Sequence, residues 1–466
     1  MKLPLPDEVV CVDQQSYVIK PELGKTYPLV THGKGVYLYD QSGNAYLDGC
    51  SGAVTAGIGH AVPEIAEAMY EQARKVSFAY RSHFTSEAAE TLAGKLAEWA
   101  PGSLKYSFFV NSGSEATETA QKIAIQYWQE RGYPRKNKML SRWMSYHGIT
   151  IGALSMSGHV LRRKRFVPLL ADYPNVPAPY CYRCPYALSP DSCSSRCLDE
   201  LETAIQRIGA ENIAAFIAEP VIGAAGGAVV PPAGYYQRVR EICDRNQILF
   251  IADEVMTGIG RTGRRFGIDH WGVAPDIMTL GKGLSAGYTP LAAALVSEEI
   301  VATIARGSGS IMAGHTYSAN PQSSAIALAV LRYVEQHRLV ENARLQGEYL
   351  LRQLKQLAAD FSLVGDARGL GLLCALEFVR DKRTKAPFAL SEGVGQRIID
   401  RAFAKGLIIY PALGGIDGQA GDAVIIAPPL VISRDELDEL IRLLREAIAE
   451  VQAELEGEGL VARAKE

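Results

Sequence analysis

The triplet Gly281-Lys282-Gly283 follows an apolar run, Asp276-Ile-Met-Thr-Leu280. Such a run reads as a buried strand, so its end presents an amine with no Cβ on either neighbour. Glycines let backbone or a bound group approach closely. Partial desolvation then lowers the amine's pKa toward the neutral form that attacks a carbonyl and forms a Schiff base. Taken alone, Gly-Lys-Gly is the pattern of an exposed turn. A second run changes that, because 29 positions upstream Ile248-Leu-Phe-Ile-Ala252 ends on Asp253-Glu254. A buried carboxylate is costly without a cationic partner, and a protonated pyridine nitrogen would serve. The ordinary alternative for one strand-end aspartate is a helix cap or a salt bridge.

Two further segments carry chemistry. Tyr106-Ser-Phe-Phe-Val110 leads into Asn111-Ser-Gly-Ser-Glu-Ala116 and then a helix with Ala116, Ala120, Ile123 and Tyr127 on one face. The free amides at that helix start, with the hydroxyls of Ser112 and Ser114, form an anion site suited to phosphate. Ser112-x-x-Glu115 is also a capping box, and both readings can hold together. Tyr146-His147-Gly148, after the run from Met139 to Ser145, could lay an aromatic ring over a flat heterocycle.

These segments need a scaffold. From about residue 60 to 325, short apolar runs alternate with helical patterns, the signature of an α/β sheet covered by helices. The runs are 106–110, 214–218, 248–252, 276–280 and 291–296. In open sheets of this kind ligands bind beyond the carboxyl ends of the strands, where the residues above fall. A chain of 466 residues calls for more than one domain. The expected division is a large domain over 61–325 and a smaller α+β domain built from 1–60 and 326–466. The hairpin pattern of 35–40 and 45–48 belongs to the first end. The helical stripes Ala325, Ala329, Leu331, Val334 and Leu350, Leu354, Leu357 belong to the second, with a final helix opening on the capping box Ser433-Arg-Asp-Glu436 and a loose tail after Glu456.

In their order along the chain, the segments Asn111 to Ala116, Tyr146 to Gly148, Asp253 and Gly281 to Gly283 resemble the class III pyridoxal-phosphate aminotransferases over about residues 25–455. The resemblance implies fold type I, with a mostly parallel seven-stranded sheet flanked by helices. It implies pyridoxal 5'-phosphate held by Gly113 and Ser114 with Ser112 at the phosphate, by Tyr146 stacked on the ring with His147 beside it, and by Val255 on the opposite face. Asp253 would pair with the pyridine nitrogen and Lys282 would carry the cofactor. Glu219, of the Glu219-Pro220 landmark, belongs to the same site. Thr316, in Gly314-His-Thr-Tyr-Ser-Ala-Asn-Pro321, would reach the phosphate of a neighbouring subunit, which implies a homodimer or a dimer of dimers. The implied reaction is ping-pong transfer of an amino group from a small amine or amino acid, including ω-amines, to a 2-oxo acid such as pyruvate or 2-oxoglutarate. Aminomutases, racemases, decarboxylases and lyases share the fold and cofactor residues and stand as the alternative.

The sequence also departs from the family. Many members hold the substrate carboxylate with an arginine shortly before an Ala-Pro-Pro-Leu segment, but the stretch 407–422 preceding Ala427-Pro-Pro-Leu430 contains none. Arg81 is a possible substitute. Ile222 stands where glutamine is frequent, and Gly52, Ala53 and Ala224 are small enough to leave room for bulky amines. Cys181, Cys184, Cys193 and Cys197 could ligate zinc, but the flanking Pro177, Pro179, Pro185 and Pro190 mark a surface excursion, and a metal-free loop is the expectation. Gly258-Ile-Gly260-Arg-Thr-Gly263 matches a dinucleotide-binding pattern whose strand end is already taken by Asp253 and Glu254, so a dinucleotide oxidoreductase is a remote alternative. A net charge of −3 gives no basic field for nucleic acid. Apolar runs are too short for membrane spans, and no export signal is expected at the amino terminus, so a cytoplasmic location is anticipated.

Overall fold

The computed structural model describes residues 16–189, 193 and 195–461. The chemistry-bearing segments lie on a seven-stranded sheet with strand order Leu104–Val110, Ala292–Ser297, Ile277–Leu280, Leu249–Asp253, Ile213–Ala218, Lys138–Arg142, Asn175–Val176. Neighbours from Ile277–Leu280 to Asn175–Val176 are parallel, and Ala292–Ser297 is antiparallel to both of its neighbours. Period-two alternation explains why both faces are buried. In Leu249–Asp253, Phe250 and Ala252 join one apolar cluster with Phe216, Tyr236 and Trp271, while Leu249 and Ile251 join another with Ile123 and Tyr127 of the helix Gly113–Glu130.

The expected strand runs are met within two residues at each end. Gly258 to Gly263 forms a tight turn, in which the buried Arg261 donates to the carbonyls of Leu372 and Pro428, rather than the start of a dinucleotide-binding helix.

Two four-stranded sheets complete the fold. Val364–Leu370, Leu373–Phe378, Ala420–Ile426 and Tyr410–Ile416 form an antiparallel sheet in that order. Val30–Lys34, the hairpin Tyr37–Asp40 with Ala45–Asp48, and Leu407–Ile408 form the other, where Leu407 and Ile408 pair in parallel with Leu47 and Asp48. The final helix, Arg434–Gly457, is capped by Ser433 and Glu436 in reciprocal hydrogen bonds. It buries Leu437, Leu440, Leu444, Ile448, Val451 and Leu455.

Two local expectations need correction. Leu331 and Val334 are buried as expected, but Ala325 and Ala329 are only half-buried, because the helix Pro321–Gln336 turns Ser324, Ala327 and Val330 inward with them instead. The chain after Glu456 is not loose as far as residue 461, since the Leu460 amide donates to the Leu455 carbonyl and Val461 packs into the core. Among the described residues no helix is long and apolar enough to cross a membrane.

Candidate active site

A cavity of about 160 Å³ opens at the carboxyl ends of the central strands, lined by Gly113, Ser114, Tyr146, His147, Gly148, Glu219, Asp253, Val255, Met256 and Lys282. Asp253, the last residue of its strand, is buried with both oxygens engaged. One oxygen bonds His147 Nδ1 at 2.7 Å, and the other accepts from Thr279 Oγ1 at 3.0 Å and the Val255 amide at 3.1 Å. These donors orient the carboxylate. His147 Nε2 is buried with no partner among the described residues. Glu254, the adjacent acid, turns away from the cavity and accepts from Thr257 and from the amides of Gly267 and Ile268. Burial pushes its carboxyl up to about 7 against these hydrogen bonds, which tie it to the turn that follows.

Lys282 projects its amine across the cavity and donates to the Ala53 carbonyl at 2.7 Å. Its backbone is left-handed at φ 44°, a strained conformation held by the surrounding fold. Burial lowers its ammonium to about 8; Glu219 and Asp253 oppose that shift and Arg162 reinforces it. Glu219 is itself buried. Its carboxylate accepts from the amides of Tyr146 and Gly223, both at 2.9 Å. Burial raises its carboxyl, with Asp253 adding to the shift and His147 and the two amides opposing it.

At the other end of the cavity the helix Gly113–Glu130 begins. The Ser112 hydroxyl accepts from the Glu115 amide at 3.2 Å and is exposed, so Ser112 caps the helix while Gly113 and Ser114 line the cavity. A Cβ on Gly113 would come within 3.0 Å of Val255, and one on Gly148 within 2.5 Å of Ser114 Oγ. Both glycines keep a narrow cradle open. A helix N-terminus at one end and an oriented carboxylate at the other fit the phosphate and the pyridinium of one flat molecule. The Lys282 amine between them fits its aldehyde.

Some expected residues lie elsewhere in the single chain. Thr316 is exposed, on a segment with the exposed side chains of Met312 and Tyr317. Arg81 donates to the Ala313 carbonyl at 2.6 Å and lies over the Phe108 ring, outside the Lys282 cavity. Cys181, Cys184, Cys193 and Cys197 line one small pocket with Pro185, Arg196 and Pro232. Burial lifts the thiol of Cys181 to about 11 and that of Cys197 to about 12, and neighbouring cysteines add to both shifts. Among the described residues no group of three or more His, Cys, Asp or Glu is arranged to hold a metal. Pro190 lies outside the described residues.

Met256 and Thr279 were not anticipated, and Ala53, expected only as a small side chain, bonds Lys282 through its carbonyl. Thr279 had a signal, a lone hydroxyl in an otherwise apolar run. Met256 had none, and nothing local marks the Ala53 carbonyl, since both places depend on contacts between distant segments.

Sheet order, cavity and glycine cradle define a fold type I pyridoxal-phosphate enzyme. The family model for aminotransferase class-III matches residues 18–448. The chain is 54% identical over 440 residues, 94% of its length and 99% of the relative's, to the uncharacterized aminotransferase YodT of Bacillus subtilis. It is 37% identical to the putrescine–pyruvate aminotransferase of Pseudomonas aeruginosa, with 91% of each chain covered. Among solved structures, the PLP-bound amine transaminase from an uncultivated Pseudomonas species superimposes with a TM-score of 0.88 at 38% identity, covering 95% of this chain and 99% of that one. The chain belongs to the class III aminotransferases, and its reaction is pyridoxal-phosphate-dependent amino-group transfer.

Proposed function

We propose that the protein moves an amino group from a primary amine or ω-amino acid to a 2-oxo acid such as pyruvate or 2-oxoglutarate, in two half-reactions at the Lys282 cavity. The observation that carries this reading is the placement of Asp253 and Lys282 in one cavity whose far end is a helix N-terminus. Similarity to a putrescine–pyruvate aminotransferase and an amine transaminase supports the amine side.

Bound pyridoxal phosphate supplies an electron sink for the pair left when the substrate's α proton departs. Asp253, fixed by His147, Thr279 and the Val255 amide, would pair with the cofactor's pyridine nitrogen. Gly113 and Ser114 receive the phosphate through helix-start amides and a hydroxyl. Tyr146 and Val255, which line the cavity, would hold the ring plane, and His147 and Glu219 would fix its surroundings. Lys282 is the covalent anchor for the aldehyde. With its amine free, Lys282 would take and return a proton at the substrate carbon. That requires a neutral lysine near neutral pH, which its burial favours.

The reading extends to a homodimer or dimer of dimers in which Thr316 completes the neighbour's phosphate site, and to a cytoplasmic enzyme. It treats 61–325 as the large domain and 1–60 with 326–466 as the smaller one, a division supported by the pairing of Leu407 and Ile408 with Leu47 and Asp48. The test is to mix the holoenzyme with a panel of amines and follow conversion to the pyridoxamine form, then discharge it with pyruvate or 2-oxoglutarate. Conversion by amines and recovery by oxo acids is expected. Absence of conversion with every donor would refute the proposed donor class, and an active monomer by light scattering would refute the shared site.

A further inference from the structure

The hairpin that lacks an arginine is Tyr410–Ile416 with Ala420–Ile426, and a short helical turn, Val160–Arg163, is seated against it. Its glycines make that seat. A Cβ on Gly414 would fall 2.4 Å from Leu161 Cδ1, and one on Gly418 2.7 Å from Val160 Cγ1. Both glycines also have positive φ, so any other residue there would strain the backbone as well as collide. The helical turn therefore fills space beside the hairpin, and it delivers a guanidinium of its own. Arg162 lies over the Tyr146 ring at 4.4 Å from the centroid, and its Nη2 donates to Tyr410 Oη at 3.4 Å. No carboxylate among the described residues pairs with it, whereas the partly buried Arg368 is spent on Asp366 and Glu377.

A half-buried guanidinium has five donors, and here its side-chain partners are the neutral phenols of Tyr410 and Tyr146. The planar fork matches a carboxylate in bidentate fashion. The positive charge of Arg162 also helps to lower the ammonium of Lys282 and, after burial, the imidazolium of His159, so its field reaches the reacting amine.

We propose that Arg162, steadied by Tyr146 and Tyr410, binds a carboxylate of the substrate in place of an arginine from the hairpin. The assignment rests on the aminotransferase reading of the Lys282 cavity. The carboxylate can be the one next to the reacting carbon or a distal one, and pyruvate and 2-oxoglutarate separate these sources.

The test uses the holoenzyme and Arg162→Met, which keeps apolar packing on Tyr146, with Arg162→Lys as the conservative variant. Half-reaction kcat/KM is measured for pyruvate, for 2-oxoglutarate, and for a carboxylate-free amine. Losing a charge-assisted bidentate contact should lower the ratio of oxo-acid to amine kcat/KM about 10- to 100-fold in Arg162→Met, with partial rescue in Arg162→Lys. A loss for both oxo acids assigns the near carboxylate, and a loss confined to 2-oxoglutarate assigns the distal one. An unchanged ratio, or an equal fall for all three substrates, overturns the assignment and leaves Arg162 a packing residue. Failure of the aminotransferase reading would look different, because the wild-type enzyme itself would not interconvert its two cofactor forms.

Discussion

Stripped of cofactor and mixed with fresh pyridoxal phosphate between about pH 6 and about pH 10, the protein should regain the visible band of lysine-bound cofactor at a rate set by neutral Lys282. The perturbation is pH alone. With the ammonium lowered from 10.5 to about 8, roughly one amine in ten is neutral at pH 7, against roughly one in three thousand for an ordinary lysine. The buried site should thus react about 300-fold faster at neutral pH than an exposed lysine of equal intrinsic reactivity. The sign follows from the direction of the shift. Below about 8 the amine is mostly protonated, so the rate should rise about tenfold per pH unit, and above about 8 it should level off. Stopped-flow absorbance measures this, with Lys282→Ala as the blank. A rate still climbing tenfold per unit through pH 9 would show that Lys282 titrates as a solvated lysine, and would refute both its desolvation and its role as a base near neutrality.

Other outcomes follow from the same geometry. Asp253→Asn keeps the shape but removes the charge held by His147 and Thr279, and steady-state kcat/KM should fall by about 100-fold or more. Gly113→Ala brings a Cβ to 3.0 Å from Val255 and should weaken pyridoxal phosphate binding about tenfold in an equilibrium titration, with partial recovery in Gly113→Ala/Val255→Ala. Glu377 is buried and bonds Arg183, Arg368 and Tyr180, which clamps the four-cysteine excursion onto the second sheet. Glu377→Ala leaves two arginines short of a partner and should cost about 3 kcal/mol in denaturant unfolding, with faster thiol-reagent labelling of Cys181. Burial raises the Glu377 carboxyl, but Arg368, Tyr180 and Arg183 together hold it below the ordinary value. That clamp is therefore present above the unfolded carboxyl's pKa and lost as pH falls through the folded one.

Much of the cofactor cavity was legible in the chain itself. Glycines around Lys282, a strand run ending on Asp253, and the Ser112 to Ala116 helix start are local patterns, each set by backbone sterics, period-two burial or helix-end hydrogen bonding. The capped final helix was legible for the same reason. Tertiary structure alone decided which of two adjacent acids faces the cavity. Asp253 meets His147, 106 residues away, while Glu254 is consumed by the amides of Gly267 and Ile268. It also decided that Arg81 lies outside the Lys282 cavity. The arginine absent from 407–422 was a gap in the sequence, and only the packing of Val160 and Leu161 on Gly418 and Gly414 shows a guanidinium beside it. Such contacts join segments some 250 residues apart, and no local periodicity or turn preference encodes them.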